Sequence, residues 1–332
     1  MKIVAFFNNK SGVGKTSLVY HTSWMLSELG VRTVAIDLDP QANLTSMFLP
    51  EDRLEELWPD GDHRDTIMGS LRPIDKGIGD VRSPHLEEIR DNLALVPGDL
   101  ALARFESRLS TAWGQCLDRN EAAFRVVTSF YRATVMAANA AGAEIALLDV
   151  GPNLGAINRS ALLASDAVVF PLAADLFSLQ GLRNLAPNLR DWRREWNDRL
   201  DRKPADMEID LPSGRMQPIG YVVLQHAVRA DRPVKAYGRW MARIPEVYAT
   251  EVRQTDEPAP ESVEVDPSCL ASLRNYRSLM PLAQDALKPM FLLKAGDGAL
   301  GGHQSAVQDC YRDFRVLTQR ILKEIRSLDE LQ

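Results

Sequence analysis

Asn8-Asn9-Lys10-Ser11-Gly12-Val13-Gly14-Lys15-Thr16-Ser17 is the stretch whose reading decides the fold. Before it, residues 2 to 7 read as a short buried strand built on the apolar run Ile3 to Phe7. After it, Leu18, Thr22, Met25 and Leu29 recur at helical spacing, and Gly30 supplies a C-terminal stop. Val31 to Ile36 is β-branched and apolar and ends in Asp37, so residues 1–40 predict strand, helix and parallel strand. Between that strand and helix the loop has a specific chemistry. Gly12 and Gly14 let the backbone curl until successive amides and the helix N-terminus converge on phosphate oxygens. Lys15 neutralises the β and γ phosphates, and Thr16 offers its hydroxyl to Mg²⁺. Nucleotide binding through Lys10, Ser11, Gly12, Val13, Gly14, Lys15, Thr16 and Ser17 is therefore expected. The usual loop has a further glycine, with four residues between it and Gly-Lys-Thr; Asn9 stands there.

Working outward, Leu93 to Val96, Ile145 to Leu148, Ala167 to Phe170 and Ile219 to Leu224 are each short and apolar, with helix-like stretches between most of them. The economical reading is one α/β domain over 1–332, a doubly wound, mainly parallel sheet with helices on both faces. Asp191 to Lys203 is dense in both charges and predicts an insertion near 191–215. Thr250 to Asp266 sets Glu251, Asp256, Glu257, Glu261, Glu264 and Asp266 against Arg253, and predicts a flexible surface loop near 250–268 with little to bury. A C-terminal helical segment is expected over 270–328, within which Leu270 to Met290 and Lys294 to Gln304 follow no recognisable pattern.

The chain has 332 residues, 45% hydrophobic and 25% charged, which excludes disorder as its main state. Its net charge of −6 argues against whole-molecule attraction to nucleic acid or anionic membrane, but the 250–266 loop accounts for nearly all of the excess. Cys116, Cys269 and Cys310 are far apart and lack zinc or disulfide spacing. No apolar run approaches the roughly 18 residues of a membrane span, so a cytoplasmic protein is expected.

With Lys10 at its head, Gly-Val-Gly-Lys-Thr resembles the deviant phosphate loop of the ParA/MinD superfamily of ATPases, in which Ser11 replaces a glycine. Three further segments match in the same order. Asp37-Leu38-Asp39-Pro40-Gln41-Ala42-Asn43-Leu44-Thr45 resembles the second acidic motif. Leu147-Leu148-Asp149-Val150-Gly151-Pro152 resembles the Walker B strand end. Ala164 to Pro171 with Leu179-Gln180-Gly181-Leu182 is similar to the next strand and helix of the ParA branch. The likeness covers about 1–190 well and 215–249 loosely.

Asp149, at the end of an apolar strand, is where open α/β sheets place ligands, and it is expected to hold Mg²⁺ together with Thr16. The resemblance implies that Asp39 positions or activates the attacking water, that Asp37 supports the metal shell, and that Lys10 reaches across an ATP-dependent homodimer to the partner's phosphates. Lys10, Lys15 and Asp39 are thus the expected catalytic residues, with ATP and Mg²⁺ bound. The resemblance further implies slow hydrolysis until a ParB-like activator completes the site.

On the last helix, Arg312, Arg315, Arg320, Lys323 and Arg326 share one arc, while Cys310, Phe314, Leu317, Ile321, Ile325 and Leu328 share the opposite one. The basic arc is a candidate for nonspecific DNA contact, which the resemblance favours; a solvated amphipathic face is its plainer reading. His21 is expected to be packed or solvated rather than ligating, and Gln225 and His226 are placed near the base from position alone. The expected function is a partition ATPase that positions DNA or another cargo. A membrane-cycling regulator like MinD is the alternative, weakened by the acidic tail Asp329-Glu330. An iron-protein relative is disfavoured because no Cys lies between Asp149 and Asp175, and an amide-forming ligase because no substrate domain is evident.

Overall fold

The computed structural model describes residues 1–224, 234–276 and 278–330. Its strands are β1 (Lys2–Phe6), β2 (Thr33–Asp37), β3 (Glu87–Arg90), β4 (Leu93–Val96), β5 (Ile145–Asp149), β6 (Ala167–Ala173), β7 (Gln217–Leu224) and β8 (Cys269–Leu273). They form one sheet in the order β3-β4-β2-β5-β1-β6-β7-β8. β3 and β4 are antiparallel and every other pair is parallel.

Alternation along β1 shows why this sheet is covered on both sides. Ile3 and Ala5 pack with the helices Ile67–Asp75, Ser129–Ala141, Ala156–Leu163 and Leu176–Leu200. Val4 and Phe6 pack with the helices Lys15–Glu28, Asn43–Phe48 and Gly302–Glu330. With both faces buried, the central strands are continuous apolar runs, the feature that made them legible. The expected α/β architecture is the one present.

Three expectations change, and one strand is added. The charged stretch from Asp191 is the second half of the helix Leu176–Leu200, not an insertion. Trp192, Trp196 and Arg199 lie on its buried side, Trp196 Nε1 donating to the Pro212 carbonyl at 2.9 Å, while the charges between them face solvent. The acidic segment does contain a residue to bury: Val263 is in the core, and the Asp266 carboxylate accepts the Tyr221 hydroxyl at 2.6 Å, so its end is pinned to β7. The segment from 270 begins as a strand, β8, beside β7, and only later becomes helical. β3, which has no apolar run, pairs at the sheet edge, where a half-exposed strand needs none.

The final helix behaves as its two arcs predict. Cys310, Phe314, Leu317, Ile321 and Ile325 are buried; Arg312, Arg315, Arg320, Lys323 and Arg326 are exposed. All three cysteines are free and buried. Among the described residues no helix is long and apolar enough to cross a membrane.

Candidate functional site

The C-terminal ends of β1, β2 and β5 lie side by side, with Phe6 opposite Asp149 and Asp37 opposite Asp149 in register. From β1 the chain turns through residues 8–14 into the helix Lys15–Glu28. Asn8 braces the start of this turn: its Nδ2 donates to the Pro171 carbonyl at 2.7 Å and its Oδ1 accepts the Lys10 amide at 2.9 Å. Gly12 and Gly14 have φ of 70° and 79°, the left-handed region where a side chain is strained. Ser11 is not among the positive-φ residues, which is why serine fits where relatives of this loop have glycine. Gly181 matters for space instead. A Cβ there would stand 2.8 Å from Asn9 Oδ1, so glycine lets the helix lie against the loop without displacing that side chain.

Lys15 is buried, its Nζ donating to the Lys10 carbonyl at 3.3 Å. Burial depresses its pKa, while the Asp149 and Asp39 carboxylates oppose that shift. Asp149 is fully buried and neither of its oxygens has a hydrogen bond of good geometry. Burial pushes its carboxyl well above the usual range, and the neighbouring Asp37 and Asp39 push it the same way, against the Thr16 hydroxyl and Lys15. A carboxylate left unsatisfied beside a hydroxyl and a cluster of negative charge fits a hard divalent cation, and Mg²⁺ characteristically takes few protein ligands and completes its shell with water and phosphate oxygens. Thr16 and Asp149 are the residues that would hold it.

Asp37, expected to support the metal shell, has its carboxylate engaged within the chain. Oδ2 accepts the Thr45 amide at 2.9 Å and hydroxyl at 2.7 Å, and Oδ1 accepts the Asp39 amide at 3.2 Å. Its oxygens are committed to holding the 39–45 turn, which leaves Asp149 as the carboxylate open to a cation. Asp39 is buried too, its Oδ1 accepting the Gln41 amide at 3.0 Å. Lys10 is paired with Asp175 of its own chain, the residue that caps the helix Leu176–Leu200 by accepting the Ser178 amide at 2.8 Å. The exposed Phe177 ring lies 6.0 Å from Lys10 Nζ.

A cavity of about 640 Å³ extends from the loop, lined by Gly12, Lys15, Thr16, Asp39, Met280 and Leu287 among others. A second, of about 440 Å³, lies between Gly14, Leu224, Leu273, Tyr276 and Phe314. The segment after β8 thus walls the cleft, a role that its irregular sequence concealed. Gln225 and His226, placed near the base by position, lie outside the described residues.

His21 joins that segment to the loop helix. Its Nδ1–H donates to the Ser17 carbonyl at 2.7 Å, its Nε2 accepts the Met290 amide at 3.2 Å, and its ring stacks on Phe314 at 4.8 Å. Both nitrogens are used by a neutral ring, and burial lowers the pKa to about 4. The unfolded chain binds that proton near pH 6.5, so the folded state loses relative stability as pH falls below 6.5, by about 2 kcal/mol between pH 7 and pH 5. The raised carboxyls of Asp37 and Asp149 act in the opposite sense, so comparison with His21→Gln isolates the effect. Urea unfolding at the two pH values should show the wild type losing this increment and the variant not; equal losses would rule His21 out as the group responsible.

An AAA domain family model matches residues 1–202, and the relatives matched over this region include the chromosome partitioning protein ParA of Caulobacter vibrioides, 29% identical over 204 residues, 60% of this chain and 67% of that protein. The chain belongs to the ParA/MinD superfamily of ATPases, in its partition branch. Other relatives in this family are the sporulation initiation inhibitor protein Soj of Bacillus subtilis, 28% identical over 60% of this chain and 69% of Soj, and the cell division protein PomZ of Myxococcus xanthus, 29% identical over 59% of this chain and 54% of PomZ. The chain spans only 45% to 63% of the length of several others it matches, among them a putative replication protein A of Rhizobium rhizogenes. Solved structures share the fold over nearly the whole chain. Protein DIP2308 of Corynebacterium diphtheriae has a TM-score of 0.71 at 22% identity, covering 98% of each chain. A putative plasmid partition protein of Borrelia burgdorferi bound to AMPPNP has 0.57 at 18%, covering 97% of this chain and 99% of that one. The fold shared with these structures therefore extends beyond residues 1–202, through β8 and the C-terminal helix.

Proposed function

We propose that this chain is a nucleotide-driven switch that binds MgATP, dimerises when it does so, and hydrolyses ATP slowly until a ParB-like partner accelerates it, so as to position DNA or another cargo. The observation that carries this reading is the gathering of Lys15, Thr16, Asp39 and the unsatisfied Asp149 at three adjacent strand ends beside a glycine-curled loop. In it, Lys10 through Ser17 hold the phosphates and Thr16 and Asp149 hold Mg²⁺, which supplies positive charge where it is needed on the transferred phosphoryl group. Asp39 orients the attacking water and accepts its proton. Lys10 acts across the dimer, which requires it to leave Asp175, whose other oxygen keeps the Ser178 amide. Leu176 and Phe177, 47% and 69% exposed beside this pair, are apolar surface that a second copy would cover.

For the track, DNA is favoured by the final helix. Asp309 and Asp313 along its edge are engaged with Arg274, Arg312 and the Tyr276 hydroxyl, and Arg320 donates to the Cys269 carbonyl at 2.8 Å. Among the described residues Arg315, Lys323 and Arg326 have no ion pair and project outward, available to phosphates. The membrane alternative is weakened because Cys310, Phe314, Leu317, Ile321 and Ile325 of the apolar arc are buried against the sheet, which leaves little of that arc to enter lipid.

Light scattering should show a doubling of mass with MgATP and not with MgADP, and the dimer should co-sediment with DNA of arbitrary sequence. Reversing Arg315, Lys323 and Arg326 to Glu should cut DNA retention by more than about tenfold without altering dimerisation. A protein that stays monomeric in MgATP would overturn the switch; undiminished retention by the triple variant would remove the helix from the DNA face.

A further inference from the structure

At the edge of the sheet opposite the phosphate loop, where β7 begins, a cavity of about 560 Å³ opens between the helix Leu176–Leu200, the turn 248–254 and the end of the C-terminal helix. The loop follows the C-terminal end of β1, and β7 runs parallel to β1 through β6, so the two sites are separated by the length of the strands. Part of the cavity's wall is apolar, including Leu189 and Ile219. The rest carries three guanidinium groups, those of Arg190, Arg193 and Arg253.

Arg190 and Arg193 are held in place, and none of the three arginines is neutralised. Arg190 Nη1 donates to the Glu251 carbonyl at 2.6 Å, and Arg193 Nη2 to the Met216 carbonyl at 2.9 Å. The Glu251 carboxylate is turned instead to Arg183, at 3.6 Å. Among the described residues none of the three has a carboxylate within ion-pair distance, and Glu324 is the acidic side chain on the lining. Arg193 Nε is buried without a hydrogen-bond partner. Burial and the adjacent Arg190 charge both depress the Arg193 pKa, as expected where like charges are brought together out of water.

Backbone carbonyls fix the direction of a guanidinium without cancelling its charge, so the cavity keeps an excess of positive charge and at least one unused buried donor. An anion is the complement to both. A carboxylate, with two oxygens and one charge, matches a single guanidinium fork. A phosphomonoester offers three oxygens and close to two charges to three arginines, and the apolar wall suits a hydrocarbon or aryl substituent. The volume lies within the range of small-ligand pockets, and a recess of this kind does not admit a nucleic acid duplex. We propose that this cavity binds a phosphomonoester whose other end is apolar, at a site separate from the nucleotide.

Phenyl phosphate is the probe, titrated calorimetrically into the full chain at 0.15 M salt beside inorganic phosphate. Phenyl phosphate should bind with a Kd of about 1 mM or below and more tightly than inorganic phosphate. Arg253 is exposed, so Arg253→Gln should fold and should weaken binding by about tenfold, as should Arg190→Gln, whereas Lys15→Ala should leave it unchanged. Absence of binding at millimolar phenyl phosphate would overturn the proposal. So would binding that is lost in Lys15→Ala and kept in Arg253→Gln, which would assign the heat to the phosphate loop. Equal affinity for the two anions would overturn the apolar half of the claim.

Discussion

Asp39→Ala is expected to lower ATP turnover by about 10²–10⁴-fold, the usual contribution of a positioned general base, while leaving MgATP binding close to wild type. The separation follows from where the residue sits. Asp39 lies after β2, on the turn that Asp37 holds through Thr45, and lines the same cavity as Lys15 and Thr16 without being part of the loop itself. In the proposed mechanism its removal takes away the group assigned to the attacking water but none of the amides or the lysine assigned to phosphate. Under the proposed cycle the variant should therefore accumulate as an ATP-bound dimer. Single-turnover hydrolysis and light scattering on the same sample read both effects. If turnover fell only as far as nucleotide affinity did, Asp39 would be a binding residue and the base would have to be sought elsewhere.

Lys15→Ala should show the opposite division, with MgATP affinity falling by at least about 100-fold, which corresponds to about 2.7 kcal/mol. A charged donor to phosphate contributes about 1.5–3 kcal/mol even in isolation. Lys15 also opposes the negative charge of Asp149 and Asp39 at a buried position. Without the ammonium, Asp149 is left among like charges and its carboxyl is pushed further toward the protonated form, which is a poor Mg²⁺ ligand. Loss of phosphate affinity and loss of Mg²⁺ dependence should thus occur together. Titration of a fluorescent ATP analogue with and without Mg²⁺ checks this; wild-type affinity in the variant would show that nucleotide does not bind at this loop.

Local chemistry was legible wherever neighbours in sequence are also neighbours in the site. The loop at 8–17 declares itself because a glycine-curled phosphate cradle is built from consecutive amides, and the strands that carry Asp37 and Asp149 declare themselves because a sheet covered on both faces needs unbroken apolar runs. The two arcs of the final helix could be drawn from a 3.6-residue period alone, and burial follows them. Elements whose character depends on a distant partner were harder to read. Asp191 to Leu200 looked like an insertion because its charges outnumber its anchors, yet two tryptophans and an arginine suffice to seat that half of the helix. β8 and the residues after it look irregular because their form is set by β7 on one side and the final helix on the other.

The sequence by itself determined an α/β fold, its family and the acidic and basic residues gathered about its glycine-curled loop, since these depend on short-range spacing and on periodic burial. Only the tertiary structure decided how those residues divide their work. Asp37 and Asp149 stand opposite each other at adjacent strand ends, but Thr45 holds one through amide and hydroxyl, whereas the other has the Thr16 hydroxyl beside it and no hydrogen bond of good geometry. Likewise Asp175 holds Lys10, and three arginines from two distant segments meet around one cavity. A carboxylate or a guanidinium has the same formula whether paired or unpaired. Its partner, set by contacts between residues far apart in the chain, determines whether its charge is used internally or left available for a ligand.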